Sequence, residues 1–188
     1  MNKLLEEIKN CKKCSLHKTR NLPTIYCGNF ESKIMFIGEA PGKNEDETGK
    51  PFCGRAGKIL EELLESINLK REEVYITNIV KCRPLKNRDP KEEEIQKCEY
   101  FLEKEIEILK PKIICPLGRY SSKLILKKYL NKNLEIGDAH GKIFKAKEML
   151  IIPMYHPAAA IYDYKKIKVL KKDFKNIINI WTKLQVSL

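Results

Sequence analysis

Four stretches of the 188-residue chain carry side chains able to do chemistry on a small planar ligand. The first is Gly38-Glu39-Ala40-Pro41-Gly42, followed on the same segment by Glu45 and Phe52. The second is Thr77-Asn78, the third Asn87-Arg88 and the fourth His156-Pro157. Singly each is bland: a phenylalanine is more often core, an asparagine can cap a strand, and a histidine before proline can be a turn residue. Together they supply an aromatic plate, an amide, carboxylates and an imidazole, which is what a pocket for a planar heterocycle requires. An asparagine amide both donates and accepts, so it can match the paired groups on the edge of a nucleobase.

The cysteines form a second chemical set. Seven of them, an odd number at uneven spacing, do not describe a disulfide framework. Cys11 and Cys14 form a CxxC in the basic setting NCKKCSLHK, and Cys82 and Cys98 form a wider pair with 15 residues between them. Two thiolate pairs can close a tetrahedral zinc site or hold an iron–sulfur cluster. The competing reading of the CxxC alone is a redox pair. Cys115 lies in an apolar run and reads as core, while Cys27 and Cys53 have no partner at short spacing.

The elements that must position these groups are legible from periodicity. Residues 33–37, 74–80, 112–118 and 150–154 are short apolar runs, rich in β-branched residues, that read as strands buried on both faces. Between them, residues 55–69 and 119–130 carry apolar positions at helical spacing, and residues 165–184 close the chain with another such helix. Asp89-Pro90 reads as the N-cap and first position of a helix running to about Leu109, with Glu92, Glu93 and Glu94 in its first turn. Residues 2–9 predict a short helix, residues 16–30 and 38–54 read as loop, and the stretch 134–154, with Gly137 and Gly141 and then alternation, predicts an extended segment or hairpin leading into the strand at 150–154. Strands alternating with helices predict an α/β fold, a three-layer α/β/α arrangement around a four-stranded, mainly parallel sheet. Every polar loop named above follows a strand, so all would gather at one edge of that sheet.

Composition narrows the partners. Lys and Arg total 37 against 25 Asp and Glu, a net charge of +12, which favours a polyanion, nucleic acid first. A lysine-rich solvated surface is the plainer account of the same charge. No apolar run approaches the length of a bilayer span, and the N-terminus carries no signal-peptide pattern, so a cytoplasmic protein without a membrane partner is expected. The length suits one domain over residues 1–188.

The motifs GEAPGKNED, GKPFCGRAG, YITNIVKCRP, KNRDP and HPAAA, in that order with the four paired cysteines, resemble the family 4 uracil-DNA glycosylases. These form the iron–sulfur branch of that superfamily, and the resemblance covers the chain from Cys11 to about Ala160. It implies a 4Fe–4S cluster on Cys11, Cys14, Cys82 and Cys98, with zinc the less favoured occupant. It also implies excision of uracil from DNA, single- or double-stranded, with free uracil as product. By motif position Phe52 would stack on the flipped base, Asn78 would read its polar edge, and Glu45 would help shape the wall that excludes the thymine methyl. His156 would donate to uracil O2, with Glu39 and Asn87 also needed for activity. Gly38 and Ala40 would frame the base, while Arg88, Ala160 and Ile161 would meet the DNA, Ile161 as the wedge filling the vacated stack. A monomer is expected, and tethering to a replication clamp is a further partner to be considered.

Two departures stand out. The best-known branch of the superfamily has an aspartate as water-activating base where this chain has Ala40, so Glu39, a backbone carbonyl or Asn87 must hold the water. Leu85 replaces a second proline after Cys82-Arg83-Pro84. Three rival readings remain. A related branch crosslinks to uracil through a histidine in the basic loop, and PLKNRDP has none. A nucleotide hydrolase would require a phosphate loop ending in Gly-Lys-Ser/Thr, which is absent. A non-catalytic metal- or cluster-bearing nucleic-acid-binding module accounts for charge and cysteines but leaves Phe52, Asn78 and His156 without a role.

Overall fold

The computed structural model describes residues 1–186. Its six strands are β1 (Cys27–Gly28), β2 (Ile34–Gly38), β3 (Tyr75–Asn78), β4 (Ile113–Pro116), β5 (Phe144–Ala146) and β6 (Met149–Ile151). They form one sheet in the order β1-β3-β2-β4-β6-β5. The four inner strands are parallel, as their continuous apolar runs predict, and every residue of β2, β3 and β4 is buried. The outer two, β1 and β5, pair antiparallel: β5 forms a hairpin with β6 inside the stretch 134–154 where an extended segment or hairpin is expected, whereas β1 was not expected. At two and three residues they are too short to show a period.

Among the described residues eight α-helices complete the fold: α1 (Asn2–Lys9), α2 (Lys43–Thr48), α3 (Arg55–Glu65), α4 (Glu92–Leu109), α5 (Arg119–Leu130), α6 (Ile136–Ala139), α7 (Ala159–Tyr162) and α8 (Lys166–Val186). Strand alternation sorts the core into two layers. Ile34, Phe36, Ile76 and Cys115 face α3 and α8, where Phe36 and Phe174 stack at 5.6 Å. Met35, Ile37, Tyr75 and Ile114 face α4 and α5. The expected α/β/α sandwich is therefore present. A smaller cluster packs Leu4 and Ile8 of α1 onto Phe101 of α4. Among the described residues no helix is long and apolar enough to cross a membrane.

Three boundaries differ from the expected ones. The helix begun at Arg55 stops at Glu65, because Ser66 Oγ donates to the Leu63 carbonyl at 2.6 Å and Asn68 turns left-handed at φ 57°. Asp89 does not cap α4. The helix starts two residues later, where the Glu94 carboxylate accepts the Lys91 N–H at 2.8 Å, and Asp89 is instead held by Arg119 and Tyr120. The acidic loop after β2 contains the short helix α2, whose Asp46 accepts the backbone and side-chain N–H groups of Asn21.

Register brings the chemistry together. Gly38 pairs with Asn78 at the carboxyl ends of β2 and β3, and Leu117 bridges Met154 beyond β4 and β6. The loops that follow these ends therefore open at one edge of the sheet, where α/β proteins place ligands.

Candidate active site

A cavity of about 440 Å³ lies at that edge. Phe52 and His156 line it from two separate loops and Asn78 from the carboxyl end of β3, together with Glu39, Ala40 and Glu45. Gly38 lies beneath. A Cβ there would stand 2.3 Å from Asn78 Oδ1 and 2.6 Å from Phe52 Cε2, so the missing side chain is what lets amide and ring converge. The Asn78 side-chain amide, on a residue 3% exposed, has no hydrogen-bond partner among the described residues. It is left to a ligand.

Phe52 is held in an unfavourable conformation by its surroundings. Its φ of 53° lies in the left-handed region, which a bulky residue enters only under constraint, at a cost of about 1–3 kcal/mol. Arg71 supplies part of that constraint, donating from Nη2 to the Pro51 and Phe52 carbonyls at 2.6 Å each and from Nε to Cys27 Sγ at 2.9 Å. Gly57 makes room for it, since a Cβ there would fall 1.8 Å from the Phe52 oxygen. Glu45 ties the ends of the loop together. Its carboxylate accepts the N–H groups of Gly42, Cys53 and Gly54 at 3.1, 3.0 and 2.9 Å. Glu45 thus reaches the cavity as a brace, with its acceptor capacity already committed to its own loop.

The half-buried His156 packs its ring 5.5 Å from that of Phe52, at 25° between planes. Desolvation pushes its imidazole down to about 4, against a smaller opposing pull from Glu45, so it is neutral near pH 7. Its Nδ1 lies 3.1 Å from the Ala158 N–H and accepts that bond. The remaining proton is therefore on Nε2, and the ring is a fixed neutral donor.

Glu39 behaves oppositely. Burial, reinforced by the charge of Asp89 and opposed by Arg119, raises its carboxyl to about 7. The acid is poised to exchange a proton at ordinary pH. Asp89, Arg119 and Tyr120 form a hydrogen-bonded trio beside it, with both Arg119 Nη2 and the Tyr120 hydroxyl on Asp89 Oδ2.

The remaining expected site residues divide. Asn87 lines the cavity with a left-handed φ of 56°, and its Oδ1 accepts from Arg83 Nε at 2.7 Å. Arg88 also reaches the cavity, with two of its donors engaged by Glu94 at 2.8 and 2.6 Å. Ile161 lines it from α7. Ala160 does not. The residue is 4% exposed and belongs to the same core cluster as Leu170 and Phe174.

The paired cysteines meet elsewhere. Cys11, Cys14, Cys82 and Cys98 line one small enclosed cavity between α1, α4 and the loop after β3. Burial raises the thiols of Cys14, Cys82 and Cys98, and each also feels the charge of other members of the set. Arg20 Nη1 donates to Cys82 Sγ at 2.8 Å, and the Lys81 and Lys13 N–H groups donate to Cys98 and Cys11 Sγ at 3.2 and 3.5 Å. Among the described residues no three His, Cys, Asp or Glu side chains stand close enough to hold a single ion. The donor set is four sulfurs spread around a shared space. Cys115 is fully buried in β4, as expected.

Sequence reasoning missed Arg71, Arg20, Arg119 and Lys81. All are single cations at no diagnostic spacing, and each has a partner distant in the chain: Cys27, Cys82, Asp89 and Glu105 respectively for Arg71, Arg20, Arg119 and Lys81. Gly57 was the one detectable signal, as a glycine opening an otherwise regular helix.

The geometry can be set beside known proteins. Residues 25–185 match the model of the Uracil DNA glycosylase superfamily. The chain is 46% identical over 182 residues to a Sulfurisphaera tokodaii protein named Type-4 uracil-DNA glycosylase, covering 94% of this chain and 83% of that one. A protein of the same name from Archaeoglobus fulgidus is 41% identical over 192 positions, spanning 100% of this chain and 96% of its own. A Type-5 uracil-DNA glycosylase of Pyrobaculum aerophilum is more distant, at 28% over 146 residues, 70% of this chain and 63% of that one.

Proposed function

The chain belongs to the uracil-DNA glycosylase superfamily, and from that premise we propose that it excises uracil from DNA by hydrolysing the N-glycosidic bond. Free uracil and an abasic site are the products. One observation carries the reading at residue level: an aromatic plate, an unpartnered amide and a fixed neutral imidazole converge on one cavity over Gly38. In it Phe52 stacks on the extruded base and the Asn78 amide meets its donor–acceptor edge. As the bond from C1′ to N1 breaks, negative charge gathers on uracil O2 and the sugar becomes oxocarbenium-like. The His156 Nε2–H donates to that oxygen, and no proton need move for it to do so.

Water adds to C1′, and its proton goes to a carboxylate. Glu39 is the acid that lines the cavity next to Ala40 with a pKa suited to that transfer. The excision rate should therefore rise with pH through about 7 as Glu39 ionises. Asp89→Asn should move that midpoint down and Arg119→Gln should move it up, because their charges act on Glu39 in opposite senses. Glu39→Gln should abolish the limb. His156 is already neutral throughout this range and adds no limb of its own. A single-turnover pH profile unchanged in all three variants would remove Glu39 from the role.

For the four thiols, the 4Fe–4S cluster is favoured over zinc. Four sulfurs share one cavity, a donor set that thiolate-held clusters use, and the motif resemblance carries the preference for a cluster. When bound, such a cluster supplies a cross-link between the N-terminal segment, the loop after β3 and α4. The partner is uracil-containing DNA, in keeping with the +12 charge. Ile161, on α7 beside the cavity, is placed to occupy the space the base leaves.

The direct test is an end-labelled oligonucleotide holding one uracil, incubated with the protein and then treated with hot alkali. Scission at the uracil alone is expected. Binding without scission would favour a nucleic-acid-binding module instead.

A further inference from the structure

A buried ion pair lies directly behind the base-reading edge, and the reaction scheme makes no use of it. Lys81 and Glu105 are 2% and 1% exposed at their side chains, with Nζ to Oε2 at 2.7 Å. The ammonium also donates to Thr77 Oγ1 at 2.6 Å and to the Asn78 carbonyl at 3.0 Å. Thr77 Oγ1 itself lies 3.2 Å from the Glu105 carboxylate. The main chain of Lys81 is equally engaged, its N–H on Cys98 Sγ at 3.2 Å and its carbonyl accepting the Thr24 N–H at 2.7 Å.

Stability alone does not account for such a pair. Desolvating two charges offsets much of their attraction, and apolar residues of similar volume often hold a core as well or better. What an apolar pair cannot do is bind a carbonyl. At this point of the sheet a carbonyl needs binding, because β1 pairs only with Tyr75 and Ile76. Beyond Ile76, strand β3 keeps a neighbouring strand only on its β2 side, through Thr77–Ile37 and Asn78–Gly38. The Lys81 ammonium takes up the Asn78 carbonyl where no neighbouring strand does.

We propose that Lys81 is a positioning residue for base recognition: its ammonium, anchored by Glu105 and Thr77, fixes the Asn78 peptide and so the direction of the Asn78 amide in the cavity. The inference rests on the reading that Asn78 meets the base. Through the Lys81 N–H on Cys98, the same residue links the cysteine cavity to the base-reading edge.

The experiment compares wild type, Asn78→Ala, Lys81→Met/Glu105→Leu and Thr77→Val in steady-state excision, with Tm and visible absorbance measured on each. The double variant replaces both charges together, so no unpaired ion is left buried. It should keep the wild-type Tm and absorbance yet lose about 100-fold in kcat with KM within roughly twofold, since a misplaced recognition group costs the transition state more than DNA binding. Wild-type kcat in the double variant, or a loss of kcat that tracks a loss of Tm or absorbance, would overturn the proposal. If the double variant does not fold, Thr77→Val decides: a lower kcat at unchanged KM and Tm supports it, and unchanged kcat overturns it. Full activity in Asn78→Ala would instead show that the reading of Asn78 is wrong, and the inference would fall with it.

Discussion

His156→Ala should lower the single-turnover rate of uracil excision by about 100- to 1000-fold, some 2.7–4 kcal/mol, the usual cost of one preorganised donor at a developing anion. Binding of uracil-containing duplex should hardly change, because phosphate contacts supply most of such affinity. The size of the effect follows from how the ring is fixed. The Ala158 N–H occupies Nδ1, which leaves the proton on Nε2, and Gly118 lies against the ring's root, where a Cβ would stand 3.1 Å from His156 Cβ. Desolvation keeps the imidazole neutral, so it neither repels the oxocarbenium-like sugar nor needs to lose a proton before acting. Rapid quench with a uracil-containing oligonucleotide measures the rate. An unchanged rate would remove His156 from the transition state.

The second large effect is on stability. Cys98→Ser should yield protein that purifies without iron, lacks visible absorbance and melts roughly 10 °C lower. A group bound about a thousandfold more tightly than its free concentration contributes about 4 kcal/mol, and each kcal/mol moves the Tm of a chain this long by about 2–4 °C. Cys98 is the informative position because it sits on α4 in one cluster with Phe101, Leu4 and Ile8. Losing the cross-link there frees the whole N-terminal segment. Differential scanning calorimetry with iron and zinc analysis reads both outcomes. Wild-type protein that is colourless and holds stoichiometric zinc would overturn the cluster assignment.

What could be foreseen from the residues follows a physical division. Strands β2, β3 and β4 were legible because strands buried on both faces must be continuously apolar, and Ile34 to Ile37 or Ile113 to Cys115 can be little else. The candidate site residues Phe52, Asn78 and His156 were legible as chemical types at strand ends and in the loops that follow them. The start of α4 was not, because Asp89 is a better cap by type than Lys91, yet Arg119 and Tyr120 claim it. Phe52's left-handed backbone was equally invisible, since it depends on Arg71 and Gly57 arriving from other elements. Lys81 reads in the sequence as one more lysine among many; only burial separates it from the rest. The groups that act on the ligand carry their chemistry openly, whereas those that hold them still are known only by their neighbours.

The two outer strands have a consequence of their own. A mainly parallel sheet ends in rows of unpaired backbone groups, and such a border can recruit a second chain and seed aggregation. Here one border is the two-residue β1 and the other is β5, with Lys145 exposed on it and Lys147 turning the hairpin at φ 50°. Neither border offers an incoming strand more than a few hydrogen bonds, and the second also places an ammonium in its path. Short borders of this kind limit edge-to-edge pairing with a second copy of the chain.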